Sequence, residues 1–241
     1  MTVWASPRCR RSFPENLEEP QMTSFAYTEK ALELQKRFDT EALAAAELQV
    51  IVHNSLSPND RASIEQAEMF WLASVDPKGS PTVSFKGGAK GFVRMPDDTT
   101  LVFPCFDGNG MFFSMGNIAS TSHVGLLFMD FVTPSRLRVQ GDAQLTDDPA
   151  IVGLWPGAQF AVKVDITALI TNCPRYIPRM QRLEGSRYVP DTATGEQPIP
   201  GWKRIDAIQA VLPKRDQGKA DMGLITMDQW GEMVGKGDPL A

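Results

Sequence analysis

The chain has 241 residues, 42% hydrophobic and 22% charged, enough to bury one large core without a disulfide or metal staple. Its formal net charge of −5 argues against broad attraction to nucleic acid or an anionic membrane surface, but allows a local basic pocket for a small phosphate. Three separated cysteines (Cys9, Cys105, Cys173) and two histidines (His53, His123) indicate neither a disulfide framework nor a metal site.

Residues 1–27 read as a flexible N-terminal extension. Arg8, Arg10 and Arg11 precede no apolar segment, and Glu15, Glu18 and Glu19 are wrong for a presequence. Met22 is a possible natural start. No apolar run approaches the roughly 20 residues that cross a bilayer, so a cytoplasmic protein is expected.

Residues 28–68 are expected to be helical. Thr28 can cap a helix running to about Leu48, with an apolar stripe at Leu32, Leu34, Phe38, Leu43 and Leu48. A second, from Pro58 to Glu68, has Ser57 as its cap and Asp60 in its first turn.

The period then changes. Met69 to Val75 and Pro81 to Lys86 flank the turn Asp76-Pro77-Lys78-Gly79 and read as a hairpin. Phe92 to Met95 predicts a short strand, Thr100 to Cys105 another, and Met111 to Ile118 one or two helical turns after the loop Phe106 to Gly110. Strands resume at Val124 to Met129, Arg136 to Leu145 and Phe160 to Ile170, with a short helix opened by Asp147-Asp148-Pro149. Six or seven short strands joined by turns indicate a mainly β (α+β) domain, an antiparallel barrel or sandwich with flanking helices. Beyond it, residues 176–241 form a proline-rich extension with helical stretches at Trp202 to Val211 and Thr226 to Val234, expected to pack on the domain or on a partner subunit.

Sequence motifs for a serine nucleophile elbow, a zinc helix and a P-loop are missing. Ile118 in place of a bidentate acid rules out a calcium loop starting at Asp107, and Phe113 stands at the third glycine position of a dinucleotide fingerprint. What remains is a set of glycines, hydroxyls, amides and one lysine at strand ends. Ser84 and Lys86 fall on one face of their strand. Gly87 and Gly108 to Gly110 permit close backbone approach, and the helix after the loop adds its positive end. Asn109, Ser114 and Asn117 offer further hydrogen bonds. The same pattern also accommodates a solvated lysine beside ordinary turns.

The run from Phe70 to Gly88 (FWLASVDPKGSPTVSFKGG) is similar to the opening hairpin of the pyridoxamine 5'-phosphate oxidase-like FMN-binding family. Leu101 to Gly110, Ser114 to Ile118, Leu126 to Asp130 and Arg136 to Gly141 resemble its next strand, loop and helix and the following strands. The likeness covers residues 65 to 175. It implies a split β-barrel over 69–175 and a homodimer holding FMN at its interface. It implies FMN contacts from Lys86, Ser84, Phe85 and Gly87, a phosphate-side segment with Asn109, Ser114 and Asn117, and an approach from Arg136 on another strand pair. Phe106 can stack on a flavin, and Asn172 and Cys173 match a segment that follows the last barrel strand in flavin-binding relatives. A loop pinned by Pro174 and Pro178, with Tyr176 packing, is the competing reading of that segment. The oxidases carry an arginine–lysine pair where this chain has Asn109 and Gly110, so the phosphate charge falls to Lys86, Lys90, Arg136 or a partner arginine, and pyridoxamine phosphate is not the expected substrate.

The expected activity is therefore FMN-dependent oxidoreduction of a small molecule, with the chemistry on the flavin and no side chain required as nucleophile or base. A non-enzymatic flavin carrier or redox sensor, or a protein of the same barrel binding haem or deazaflavin, is the alternative.

Overall fold

The computed structural model describes residues 25–218 and 222–241; most of the expected N-terminal extension, with Cys9, lies outside them. Thr28 caps α1 (Glu29–Arg37), its Oγ1 accepting from the Ala31 amide at 3.2 Å. The single helix expected to Leu48 is two: Asp39, at φ 54°, occupies the left-handed region that aspartate tolerates, and α2 (Glu41–Ile51) starts afresh. A two-residue strand, β1 (Val52–His53), follows it. In α3 (Pro58–Gln66) the expected cap is a reciprocal one between Ser57 and Asp60.

The barrel consists of β1 with β2 (Met69–Val75), β3 (Pro81–Gly87), β4 (Thr100–Cys105), β5 (His123–Asp130), β6 (Ser135–Thr146) and β7 (Phe160–Asn172). These seven strands form one antiparallel sheet in the order β1-β7-β6-β5-β2-β3, with β4 on the β1 side of β7. β3 and β4 do not pair, so the barrel is split between them. Alternation along β2 sends Phe70 and Leu72 inward. Phe70 meets the rings of Phe92, Phe103 and Phe128 at centroid distances of 5.8, 5.0 and 5.2 Å. Complete burial of each such side chain contributes about 1.5–3 kcal/mol.

The Phe92–Met95 segment makes a single bridge, Arg94 to Val102, rather than the expected strand. Phe92 and Val93 are both buried in the main core instead of alternating. α4 (Phe113–Thr121) begins and ends later than expected, and α5 (Pro149–Val152) is capped by Asp148. The expected helix over 202–211 is two short 3-10 segments, Gly201–Arg204 and Asp206–Val211, because Ile205 is extended and bridges to Ile225. α6 (Met227–Gly235) follows its Thr226 cap. The C-terminal chain returns across the barrel: the Met180 amide donates to Phe131 O at 2.9 Å, and Arg182 pairs with Glu68 at 2.8 Å. Among the described residues no helix is long and apolar enough to cross a membrane.

Candidate functional site

β3 is a margin of the sheet, and its alternation sorts its side chains. Ser84 and Lys86 stand opposite Leu72 and Phe70, whose side chains are in the core, so both belong to the inner face. Val83 and Phe85 face outward, 64% and 59% exposed. Phe85 packs edge-on against Trp71 there, and Trp71 in turn against Phe131.

The first turn of α4 lies over the inner side of β3, where Ser114 Oγ donates to Ser84 Oγ at 2.9 Å. Two more bonds seat the helix: Asn117 Nδ2 donates to Ser74 Oγ at 3.2 Å and Thr121 Oγ1 to Val75 O at 2.7 Å. Asn117 is buried, and its amide nitrogen is engaged in holding α4 on β2. The helix starts at Phe113 because Phe112 sits at φ 48°, after Gly110 at φ 74°; a bulky residue in that region is strained. Among the described residues no side chain caps the first turn, leaving its N–H dipoles a natural place for an anion. Met111, Phe112 and Phe113 are exposed beside it.

The Lys86 ammonium is half-buried, and among the described residues it has no hydrogen bond and no acidic partner. Burial pulls its pKa below the ordinary lysine value, and the neighbouring Cys105, across the split at the end of β4, opposes that pull only in part. Burial pushes the Cys105 thiol up, with Lys86 acting against the push and Asp107 adding to it. An unpaired, poorly hydrated cation beside two hydroxyls and an uncapped helix start is suited to receiving an anionic group.

The other expected residues divide. Asn109 closes the loop tip, its Oδ1 accepting from the Met111 amide at 3.0 Å. Phe106 packs with Val102, Trp155 and Ala161 in a second apolar cluster. At Gly87 a Cβ would stand 2.9 Å from the Phe85 ring. Lys90 is exposed and donates to Gln66 at 3.0 Å. Arg136 and Asn172 are directly opposed in β6 and β7; because Leu137 and Val139 point into the core, Arg136 faces the other side of the sheet from Lys86. Cys173 and Tyr176 are exposed, so Tyr176 does not pack as the competing reading of its segment required.

The sequence reading missed an ion cluster behind the loop. Lys203 contacts Asp107 at 2.5 Å and Asp216 at 2.8 Å, and Arg215 contacts Asp107 at 2.6 Å. Burial alone would raise the Asp107 pKa, but hydrogen bonds from Lys203 and Arg215 hold it below the ordinary carboxylate value. Burial likewise works against the Lys203 charge, yet Asp107 and Asp216 raise its pKa. Nothing in the chain order links Asp107 with residues about a hundred positions away. A separate surface depression of about 510 Å³, lined by residues including Ile118, Thr121, Gln144 and Leu145, lies by the C-terminal half of α4 and has no charged side chain.

Residues 56–165 match the family model described as pyridoxamine 5'-phosphate oxidase. Among solved structures the chain is similar to HupZ of Group A Streptococcus, at 16% identity, with 52% of this chain and 99% of that one covered and a TM-score of 0.41. A candidate pyridoxamine 5'-phosphate oxidase of Lactobacillus delbrueckii is similar at 22% identity, covering 48% and 94%, with a TM-score of 0.41. An FMN-binding protein of Syntrophomonas wolfei is similar at 12% identity, covering 59% and 97%, with a TM-score of 0.37. No curated protein matches the sequence.

Proposed function

We propose, from the match of residues 56–165 to the pyridoxamine 5'-phosphate oxidase family model, that the protein is an FMN-dependent oxidoreductase acting on a small molecule other than pyridoxamine phosphate. The observation that carries the reading is the Lys86 ammonium, half-buried and without an acidic partner among the described residues, next to the Ser84–Ser114 hydroxyl pair. FMN combines an anion with a flat aromatic ring, and the residues present fit both parts.

Lys86 would neutralise the anionic cofactor, with Ser84, Ser114 and the first-turn amides of α4 hydrogen-bonding to it. Met111, Phe112 and Phe113 supply apolar surface for a flat ring and limit access of water. Gly87 keeps the end of β3 free of a side chain. When bound, FMN supplies hydride and single-electron transfer. The protein's part is then to bind, orient and shield, in keeping with a site that holds a lysine and hydroxyls rather than a nucleophile and its base.

The functional unit is proposed to be a homodimer. The outward strip of Val83 and Phe85 beside Trp71 is an apolar surface that a second copy would cover. Asn109, Arg136, Asn172 and Cys173 remain proposed contacts to the cofactor in that assembly, Arg136 and Asn172 from the outer face.

The purified protein's visible spectrum, with the mass of whatever small molecule it releases, tests the proposal. Flavin bands and the FMN mass are expected; a Soret band or a colourless protein that fails to take up added FMN would overturn it. Reduction of the bound flavin by nicotinamide donors, with turnover, separates an enzyme from a carrier.

A further inference from the structure

Asp107 lies two residues beyond Cys105 and two before Asn109, in the loop between β4 and α4. Among the described residues, the backbone of 106–111 makes no backbone–backbone hydrogen bond to another element; its Phe106 carbonyl takes only the thiol of the adjacent Cys105, at 3.9 Å. Apart from the packing of Phe106 and the contact of the Phe112 ring with Phe160 of β7 at a centroid distance of 6.1 Å, the loop is tied to the body of the protein through the Asp107 carboxylate. Its Oδ1 accepts from Gln159 Nε2 at 3.0 Å and Arg215 Nη2 at 2.6 Å, and its Oδ2 accepts from Lys203 Nζ at 2.5 Å.

Lys203 is the centre of this arrangement. Only 5% of it is exposed, and it shares its ammonium between Asp107 and Asp216. The backbone around it is braced by Gln209, whose Nε2 donates to Lys203 O at 2.9 Å and Ile205 O at 2.8 Å. Two cations face two carboxylates, so the cluster has no spare charge with which to recruit a ligand. Its chemistry is that of a tether: Asp107 belongs to the segment that matches the family model, whereas Lys203, Arg215 and Asp216 lie beyond it.

We propose that Lys203 is a positioning residue: through Asp107, the C-terminal extension holds the 106–112 loop in place and thereby sets how tightly the Lys86 site grips its phosphorylated ligand. The second half of this statement rests on the FMN reading; the first half does not. Removing the Lys203 ammonium leaves Asp107 with one exposed arginine and one amide, and frees the loop to sample other positions.

The test uses the full chain carrying Lys203→Met, Lys203→Arg or Asp216→Asn. Chymotrypsin reports on the loop through Phe106, Phe112 and Phe113, with the cut sites identified by mass; a freed loop is cleaved faster. In Lys203→Met, cleavage there should rise at least severalfold and FMN affinity fall about tenfold, as expected when a ligand must order its own site. The visible circular dichroism of bound FMN should change as well. Lys203→Arg should restore much of the wild-type behaviour, and Asp216→Asn should show a smaller effect in the same direction. Unchanged cleavage in Lys203→Met overturns the tether. Faster cleavage with unchanged FMN affinity and dichroism overturns the positioning role. If wild-type protein binds no FMN while the cleavage difference holds, the FMN reading fails and the tether stands. Should Lys203→Met not fold, Asp216→Asn decides: no change in cleavage refutes the proposal.

Discussion

Arg136 and Asn172 face each other across β6 and β7, and each has a buried side-chain atom without a partner among the described residues, Nε of the arginine and Oδ1 of the asparagine. A donor and an acceptor are thus desolvated side by side without bonding to each other. Such orphans are costly, about 1–3 kcal/mol apiece where nothing compensates.

Asn172→Asp supplies a charged acceptor opposite the guanidinium. It should stabilise the ligand-free protein by about 0.5–1 kcal/mol, the scale of an opposed cross-strand pair. Urea unfolding at neutral pH checks this, and a lowered midpoint would refute it.

Lys86→Met should weaken FMN binding by at least about tenfold, corresponding to loss of a charge-assisted hydrogen bond of about 1.5–3 kcal/mol. The same variant should leave the unfolding temperature of the ligand-free protein unchanged or raised, because a desolvated and unpaired charge is removed. Titration by flavin fluorescence and a thermal melt give the two readings.

The depressed pKa of Lys86 sets a pH dependence. Between its folded pKa and the ordinary lysine value the unfolded chain binds more protons than the folded one, so this group makes stability rise with pH across that window. An anionic ligand favours the protonated amine. FMN affinity should therefore fall as pH rises through the folded pKa, and Lys86→Met should lack that fall. Affinity titrations from neutral to alkaline pH measure it.

Asp107→Ala should destabilise the protein by about 3 kcal/mol at neutral pH, since it strands part of the Lys203 charge in a buried place. With the Asp107 pKa depressed, its contribution is present above the ordinary carboxylate range and lost as pH falls through its folded value. The raised Lys203 pKa works oppositely: that contribution is present below the ordinary lysine value and lost as pH rises through the folded one. The gap between wild type and variant should thus narrow in acid, as followed by urea unfolding at several pH values.

Phe85→Glu places a charge in the exposed strip beside Trp71. A protein that sediments as a dimer should become monomeric in this variant, with FMN affinity reduced in parallel. Dimerisation that withstands the charge would place the interface elsewhere.

Local rules account for much of this molecule. Thr28, Ser57, Asp148 and Thr226 all cap the helices that follow them, because a cap depends on residues within three positions of one another. The strands of the β2–β3 hairpin were legible from alternation and the Asp76–Gly79 turn, as was the sharing of one face by Ser84 and Lys86. Where expectation failed, a distant contact overrode local pattern. Phe92 and Val93 left strand alternation to be buried together in the main core, and Ile205 broke a helix to bridge Ile225.

The sequence by itself determined where most strands run along the chain, the turns between them and the sharing of one face by Ser84 and Lys86, since all of these follow from side-chain period and near-neighbour sterics. Only the tertiary structure decided that Ser114 reaches Ser84, that Lys86 has no acid beside it among the described residues, that Arg136 faces away from it, and that Lys203 meets Asp107. Those relations join positions 30 to 96 residues apart or depend on which side of a closed sheet a residue occupies. Burial and Coulomb attraction act through space, and no spacing along the chain encodes them.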